Sequence, residues 1–144
     1  MQIDETDHAL LSLLADNART PVAMLARRLG LARTTVQARL DRLEHSGAIA
    51  GYTLRVAESL RAPLRATALV SIEPRSAPAV LSRLKSLPSV RTVHTTSGRF
   101  DLIVGLEADT TEALDDTLDR IGETRGVKSS ESLVHLSTKL DRRN

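Results

Sequence analysis

The sequence has 144 residues, no cysteine and only two aromatic residues, Tyr52 and Phe100. The absence of cysteine excludes disulfides, thiolate metal sites and cysteine nucleophiles, and we expect a reducing, cytoplasmic location. Twenty basic and 18 acidic residues leave a net charge of +2, so a polyanionic partner has to be argued from local clustering. No apolar run approaches the roughly 18 residues that span a bilayer, and the acidic start is unlike a signal peptide.

Residues 1–50 have the apolar spacing of three short helices. Asp4 is placed to cap the first helix, and Asp7 follows three residues later, where a carboxylate favours the positive end of a helix. Thr20 and Pro21 are typical of a helix start, and they predict a second helix with a capping hydroxyl.

The third helix is predicted from about Ala32 to His45, and it follows the second helix after a tight turn. The motif has a small residue, Ala26, where the two helices cross, and a glycine, Gly30, where the turn needs positive φ. Val36 then fills the contact between the helices. Together these residues predict a helix-turn-helix.

The chain changes character after this motif. Residues 48–56 alternate as a short strand, and a linker follows that ends at Pro63. From residue 65 onward the pattern is β-α-β, twice, which indicates a ferredoxin-like unit and an α+β fold overall. The predicted elements are a strand at 66–73, a helix at 77–87, a strand at 89–98, a strand at 99–107 with Phe100 on its buried face, a helix at 110–124 and a strand at 127–138.

Positive charge is concentrated in the helix-turn-helix. Between Arg19 and Glu44 there are six arginines against two acids, a net of +4, which leaves −2 for the rest of the chain. Such a basic segment suits a phosphate-binding surface. The alternative is a solvated helix in an ordinary three-helix bundle.

The side chains expected to face DNA follow from a turn of about 100° per residue with Val36 and Leu40 inward. Residues at the outer face and start of the third helix are expected at base edges, where arginine pairs with guanine and glutamine with adenine. These are Arg33, Thr34, Thr35, Gln37 and Ala38. The expected phosphate contacts are Arg27, Arg28, Arg39 and Arg42.

Several short motifs resemble a known family. They are Ile3-Asp4-x-x-Asp7, Asn17-Ala18-Arg19, Leu25-Ala26 with Gly30-Leu31, Arg39 to Glu44, Ser46-Gly47-x-Ile49, Gly51-Tyr52 and Gly98-x-x-Asp101. Over nearly the whole chain the pattern resembles the Lrp/AsnC, or feast/famine, family of bacterial and archaeal transcription regulators. The resemblance implies a winged-type helix-turn-helix at 1–50, a strand and linker at 51–64, and a ferredoxin-like βαββαβ domain for ligand sensing and dimerisation at 65–144.

The resemblance also implies partners and an effector site. The partners are double-stranded DNA, a second copy in a homodimer, often assembled to an octamer, and an amino acid or similar small effector. In the family the effector lies between dimers near the glycine–aspartate turn. The matching residues are Thr96, Ser97, Gly98, Arg99, Phe100 and Asp101, with Ser130 and Ser132 as additional hydroxyls.

The chemistry of this turn is compatible with an amino acid. Asp101 suits an ammonium, Arg99 suits a carboxylate, and Gly98 permits close approach to the backbone. The alternative is a plain hairpin turn with solvated charges. Two departures from the family pattern stand out: Ala32 replaces the usual capping serine, and Arg99 occupies a position that varies among members.

Two functions other than a regulator are also open to this sequence. The four histidines have no metal-ligand spacing, and the sequence has no phosphate loop or nucleophile motif, so we expect no metal, no cofactor and no enzymatic activity. One alternative is an enzyme like the sirohaem decarboxylases, with His94, His135 and Arg99 around a tetrapyrrole. The other is a DNA-organising protein without an effector.

Overall fold

The structure is a computed structural model that describes residues 2–142. The chain forms two compact units, one that runs to Arg55 and one over Val56–Asp141, and each is described by itself. Among the described residues, none of the helices combines the length and the apolar character that crossing a membrane requires.

Helix α1, Glu5–Asp16, begins as the sequence predicted. The Asp4 carboxylate accepts a hydrogen bond from the Asp7 N–H at 2.8 Å, and the Asp7 carboxylate accepts one from the Asp4 N–H at 3.2 Å. This reciprocal capping box satisfies two backbone donors that a helix start leaves without partners. Leu10 and Leu14 continue the buried face of the helix.

Helix α2, Val22–Leu29, begins one residue later than predicted. Its capping residue is Pro21, and no side chain caps it. The prediction that Thr20 supplies a capping hydroxyl is wrong, because the Thr20 hydroxyl donates to the Asn17 carbonyl at 2.7 Å. The hydroxyl therefore closes the turn before the helix.

The turn that leads into helix α3, Arg33–His45, has the predicted glycine geometry. Gly30 has φ +66°, and the N–H of Leu31 donates to the Ala26 carbonyl at 2.9 Å. This left-handed cap ends α2 and redirects the chain. As expected from Ala32, no side chain caps α3. The three helices enclose one core of Leu10, Leu14, Leu25, Ala26, Val36, Leu40 and Leu43.

The strand predicted at 48–56 is absent, because the described backbone there is neither helix nor strand. Most of its apolar side chains are exposed, Tyr52 by 55% and Leu54 by 83%, whereas Ile49 packs against the helical core. An extended segment becomes a strand only when a neighbouring strand takes up its hydrogen bonds. Within one chain this segment has no such neighbour among the described residues.

The second unit has the predicted ferredoxin-like arrangement. Its elements are β1 Leu64–Ile72, α4 Ala77–Lys85, β2 Val90–Thr95, β3 Leu102–Ala108, α5 Thr111–Gly122 and β4 Val127–Val134. The strands form one antiparallel sheet in the order β2-β3-β1-β4. This order confirms the βαββαβ topology and the α+β class.

The two helices cover one face of the sheet. Alternate residues of β1 (Ala66, Ala68 and Val70) and β3 (Leu102, Val104 and Leu106) are buried on that face against both helices. Phe100, predicted on the buried face of the strand, lies before β3 begins and is half-buried. The opposite face carries Ile103 and Leu133, which are 36% and 51% exposed.

Candidate nucleic-acid interface

Helix α3 presents a polar face to solvent. The side chains at its start and along its outer side are exposed, whereas Val36, Leu40 and Leu43 are buried. The exposed set comprises Arg33, Thr34, Thr35, Gln37 and Ala38, the same residues that the sequence placed at base edges. The structure therefore brings these five together on one accessible surface.

Three arginines on or beside this surface are exposed to solvent. Arg27 and Arg28 are exposed in the last turn of α2, and Arg33 is exposed in the first turn of α3. In the part of the chain that the structure describes, no carboxylate forms an ion pair with any of the three. Exposed cations of this kind are available to DNA phosphates.

Arg39 and Arg42 lie in a different environment. The Nη1 of Arg39 is 2.8 Å from Asp4 Oδ2 and 2.9 Å from Asp7 Oδ1. The Nη2 of Arg42 is 2.6 Å from Asp7 Oδ2 and 2.7 Å from Asp7 Oδ1. A phosphate would have to compete with these carboxylates, so the structure does not support grouping the two arginines with Arg27 and Arg28.

Asp7 is the residue of this unit whose importance the sequence reasoning missed. It is fully buried, although it carries a carboxylate. Burial by itself raises the pKa of Asp7, but hydrogen bonds from Arg42, Arg39 and the Asp4 N–H outweigh it and hold that pKa well below the usual 3.8. The available signal was its spacing, because Asp7 lies on the same helical stripe as Leu10.

Two further contacts fix side chains of α3. The Nε2 of Gln37 donates to Asp41 Oδ1 at 2.8 Å, one helical turn along. The Tyr52 hydroxyl donates to Glu44 Oε1 at 2.7 Å, and burial, followed by this hydrogen bond and the charge of Glu44, raises the pKa of Tyr52. Tyr52 thereby holds the segment after the helix-turn-helix against the end of α3.

The candidate effector turn between β2 and β3 is internally bonded. Asp101 Oδ2 accepts from the Ile72 N–H at 2.9 Å, and the Asp101 N–H donates to the Val70 carbonyl at 2.9 Å. Gly98 has φ +105°, and the Arg99 guanidinium lies 5.1 Å from the centre of the Phe100 ring. One carboxylate oxygen of Asp101 is therefore already used in a hydrogen bond to the backbone of β1.

The remaining predicted residues divide into two groups. Thr96 belongs to the turn, because its hydroxyl donates to the Phe100 carbonyl at 2.6 Å, and Ser97 is exposed beside it. Ser130 and Ser132 pair with Val70 and Ala68 across the sheet, so they share the helix-covered face. Strand β1 separates them from the turn by about 10 Å, and one chain does not assemble all eight residues into a site.

Family models match both halves of the chain. An AsnC-type helix-turn-helix domain matches residues 3–44, and an Lrp/AsnC ligand binding domain matches residues 65–144. The chain belongs to the Lrp/AsnC family of transcription regulators. The resemblance seen in the sequence is thereby confirmed.

Known Lrp/AsnC proteins are similar over nearly their full length. The HTH-type transcriptional regulator LrpA of Pyrococcus horikoshii is 34% identical over 87% of this chain and 90% of its own. The regulator LysM of Saccharolobus solfataricus is 28% identical over 94% and 95%. A feast or famine regulatory protein from M. tuberculosis, solved as a complex with L-methionine, superposes with a TM-score of 0.83 at 29% identity over 99% and 98%.

The geometry of the histidines bears on the enzyme alternative. The ring Nε2 of His135 lies 2.8 Å from the Thr67 hydroxyl on β1, His94 pairs with Ile103 on β3, and the Arg99 carbonyl accepts from the Ser71 hydroxyl near the end of β1. Four residues of strand separate Thr67 from Ser71, about 13 Å. In the described part of the chain, no hydrogen bond joins His94, His135 and Arg99 to one another.

Proposed function

We propose that this chain binds double-stranded DNA through its helix-turn-helix and regulates transcription in response to a small effector. The observation that carries the proposal is the exposed polar face of α3, which lies beside arginines that have no ion pair within residues 2–142. An α-helix fits the major groove, and the start of the second motif helix approaches the bases. The base contacts that we propose are Arg33, Thr34, Thr35, Gln37 and Ala38.

Phosphate contact is assigned to Arg27 and Arg28, because both are exposed and without an acidic partner among the described residues. Arg39 and Arg42 were expected in the same role. We now propose that they hold α3 against α1 through Asp7, because their guanidinium groups already bind carboxylates.

The experiment for the DNA-binding function compares two arginine variants. DNA sites are first selected from a random pool with the wild-type protein. Arg33→Ala is then expected to bind the selected site about 10- to 100-fold more weakly, because a bidentate guanine contact contributes about 1–3 kcal/mol. Arg125→Ala removes an exposed positive charge from the second unit and is expected to stay within about twofold.

If the wild type and Arg33→Ala bind the selected DNA equally well, and also bind mixed-sequence DNA equally well, Arg33 does not contact a base. A loss that is identical on both DNAs would make Arg33 a phosphate contact instead.

The proposed effector is an amino acid that binds at the Gly98 turn. The ligand-binding family model covers this half of the chain, and a 29% identical relative was solved with L-methionine. Because Ser130 and Ser132 lie across β1 from the turn, we propose that the site is completed by another copy in a homo-oligomer. The exposed apolar side chains Ile103 and Leu133 on the open face of the sheet support such an assembly.

The effector is tested by thermal unfolding in the presence of each of the twenty amino acids. A ligand that prefers the folded state raises its stability, by about 2.7 kcal/mol at 100 times the dissociation constant. Asp101→Asn keeps an oxygen for the Ile72 N–H but loses the charge for an ammonium, so the shift should vanish. Asp109→Asn, an exposed acid after β3, serves as the control and should retain it.

If none of the twenty amino acids raises the thermal stability, the result would instead favour a DNA-organising protein without an effector.

We also propose that the chain is cytoplasmic and is not an enzyme. Its similar relatives are named as transcription regulators. Mixing the protein with sirohaem is expected to leave the Soret band unchanged. A shifted band would revive the alternative.

A further inference from the structure

An acidic residue lies on the exposed side of the DNA-facing helix. Asp41 is exposed on α3, and among residues 2–142 no arginine, lysine or histidine forms an ion pair with it. A negative charge close to DNA phosphates weakens association, because like charges repel. Its contact with Gln37 gives this carboxylate a role that offsets the repulsion.

The contact fixes the orientation of an amide. Asp41 Oδ1 lies 2.8 Å from Gln37 Nε2. A carboxylate can only accept hydrogen bonds, so the amide nitrogen of Gln37 must face it and the amide oxygen must face away. Without such a partner the terminal torsion of glutamine is broad and roughly two-fold, and both orientations are accessible.

The orientation determines which base Gln37 can bind. Adenine presents one acceptor and one donor in the major groove, and it requires the amide oxygen together with one N–H. Guanine presents two acceptors, and a rotated amide would direct its N–H groups toward them. We propose that Asp41 is a positioning residue that holds the amide of Gln37 in the orientation that recognises adenine and rejects guanine.

This inference rests on the proposed DNA-binding function and adds a determinant of its specificity. Asp41 itself contacts no base; it acts through Gln37. Because alanine is a good helix former at an exposed position, Asp41→Ala is expected to fold.

The test is site selection from a random DNA pool, followed by binding measurements with each base at every position of the selected site. In Asp41→Ala the preference for adenine over guanine is expected to fall about tenfold at one base pair, the value of one bidentate contact. Affinity for mixed-sequence DNA should rise severalfold, because a negative charge is lost. Gln37→Ala should remove the preference at the same base pair, and the double variant should show the same base preferences as Gln37→Ala alone.

Glu44→Gln provides the matched control, since it also removes an acid from α3. It should raise affinity for all sequences and leave the base preferences intact.

Two results would overturn the inference. If Asp41→Ala raises affinity equally on all sequences, as the control does, Asp41 acts only through its charge and Gln37 needs no positioning. If Gln37→Ala leaves every base preference unchanged, Gln37 does not contact a base. Both results leave DNA binding by the helix-turn-helix intact, and the second removes only Gln37 from its proposed base contacts. A wild-type protein without any sequence preference would overturn the proposed function and this inference together.

Discussion

Replacing Asp7 by asparagine should destabilise the helix-turn-helix by about 3 kcal/mol. The side chain has no exposed surface and accepts hydrogen bonds from two guanidinium groups. Its loss leaves Arg42 beside a neutral amide and Arg39 with Asp4 as its remaining acidic partner among the described residues. Removing one partner of a buried ion pair typically costs about 3–5 kcal/mol. We expect the lower end, because the side chains of Arg39 and Arg42 are 25% and 42% exposed and can be resolvated in place.

The assay is urea or thermal unfolding followed by tyrosine fluorescence. Tyr52 is the only tyrosine, the chain has no tryptophan, and the residue belongs to the N-terminal unit, so the signal reports this unit specifically. A loss of about 3 kcal/mol lowers the Tm of a small domain by roughly 12 °C or more. Glu5→Gln removes an exposed acid from the same first turn of α1 and controls for the helix dipole. If the two variants unfold within about 0.5 kcal/mol of each other, the buried ion pair does not hold α3 in place.

Three further predictions follow from the same unit. Because the pKa of Asp7 is lowered in the folded state, its stabilising effect is complete above its usual pKa of 3.8 and declines as the pH falls below it. The difference in unfolding free energy between the wild type and Asp7→Asn should therefore shrink in acid. A difference that stays constant with pH would contradict the assignment. Gly30→Ala should lose about 1 kcal/mol in denaturant unfolding, because alanine is strained at φ +66°, whereas Gly51→Ala, in open space and without positive φ, should change little. In DNA-binding titrations at several salt concentrations, Arg28→Gln should reduce the slope of log K against log salt by about 0.9. Arg39→Gln should leave the slope unchanged, because a guanidinium that carboxylates already neutralise releases no counterion. Equal reductions would place both arginines on phosphates.

Local signals in the sequence were sufficient for the start of α1, the end of α2 and the sheet. Asp4 with Asp7 and the left-handed Gly30 lie where capping and turn rules put them, since such motifs satisfy backbone groups within a few residues. The alternation of β1 and β3 likewise identified the buried face, because one-sided burial imposes a period of two.

Interactions between distant residues were beyond the sequence pattern. The net charge of residues 19–44 includes Arg39 and Arg42 as if they were unpaired. Their carboxylate partner, Asp7, lies more than 30 residues earlier and outside that segment. The segment 48–56 has strand-like alternation, but alternation does not reveal whether a neighbouring strand exists.

A helix that recognises DNA has to be exposed and rigid at the same time, and α3 meets both requirements by dividing its polar residues between two roles. Only Val36, Leu40 and Leu43 are buried along its 13 residues, a narrow apolar stripe for fixing rotation about the helix axis. The two arginines bound to Asp7 supply directional contacts on one flank, where hydrogen-bond geometry constrains rotation more tightly than apolar packing does. The other polar positions are then left to the groove. Pairing with the buried carboxylate of Asp7 makes the two arginines unavailable to DNA, but it fixes the orientation of the residues that contact bases.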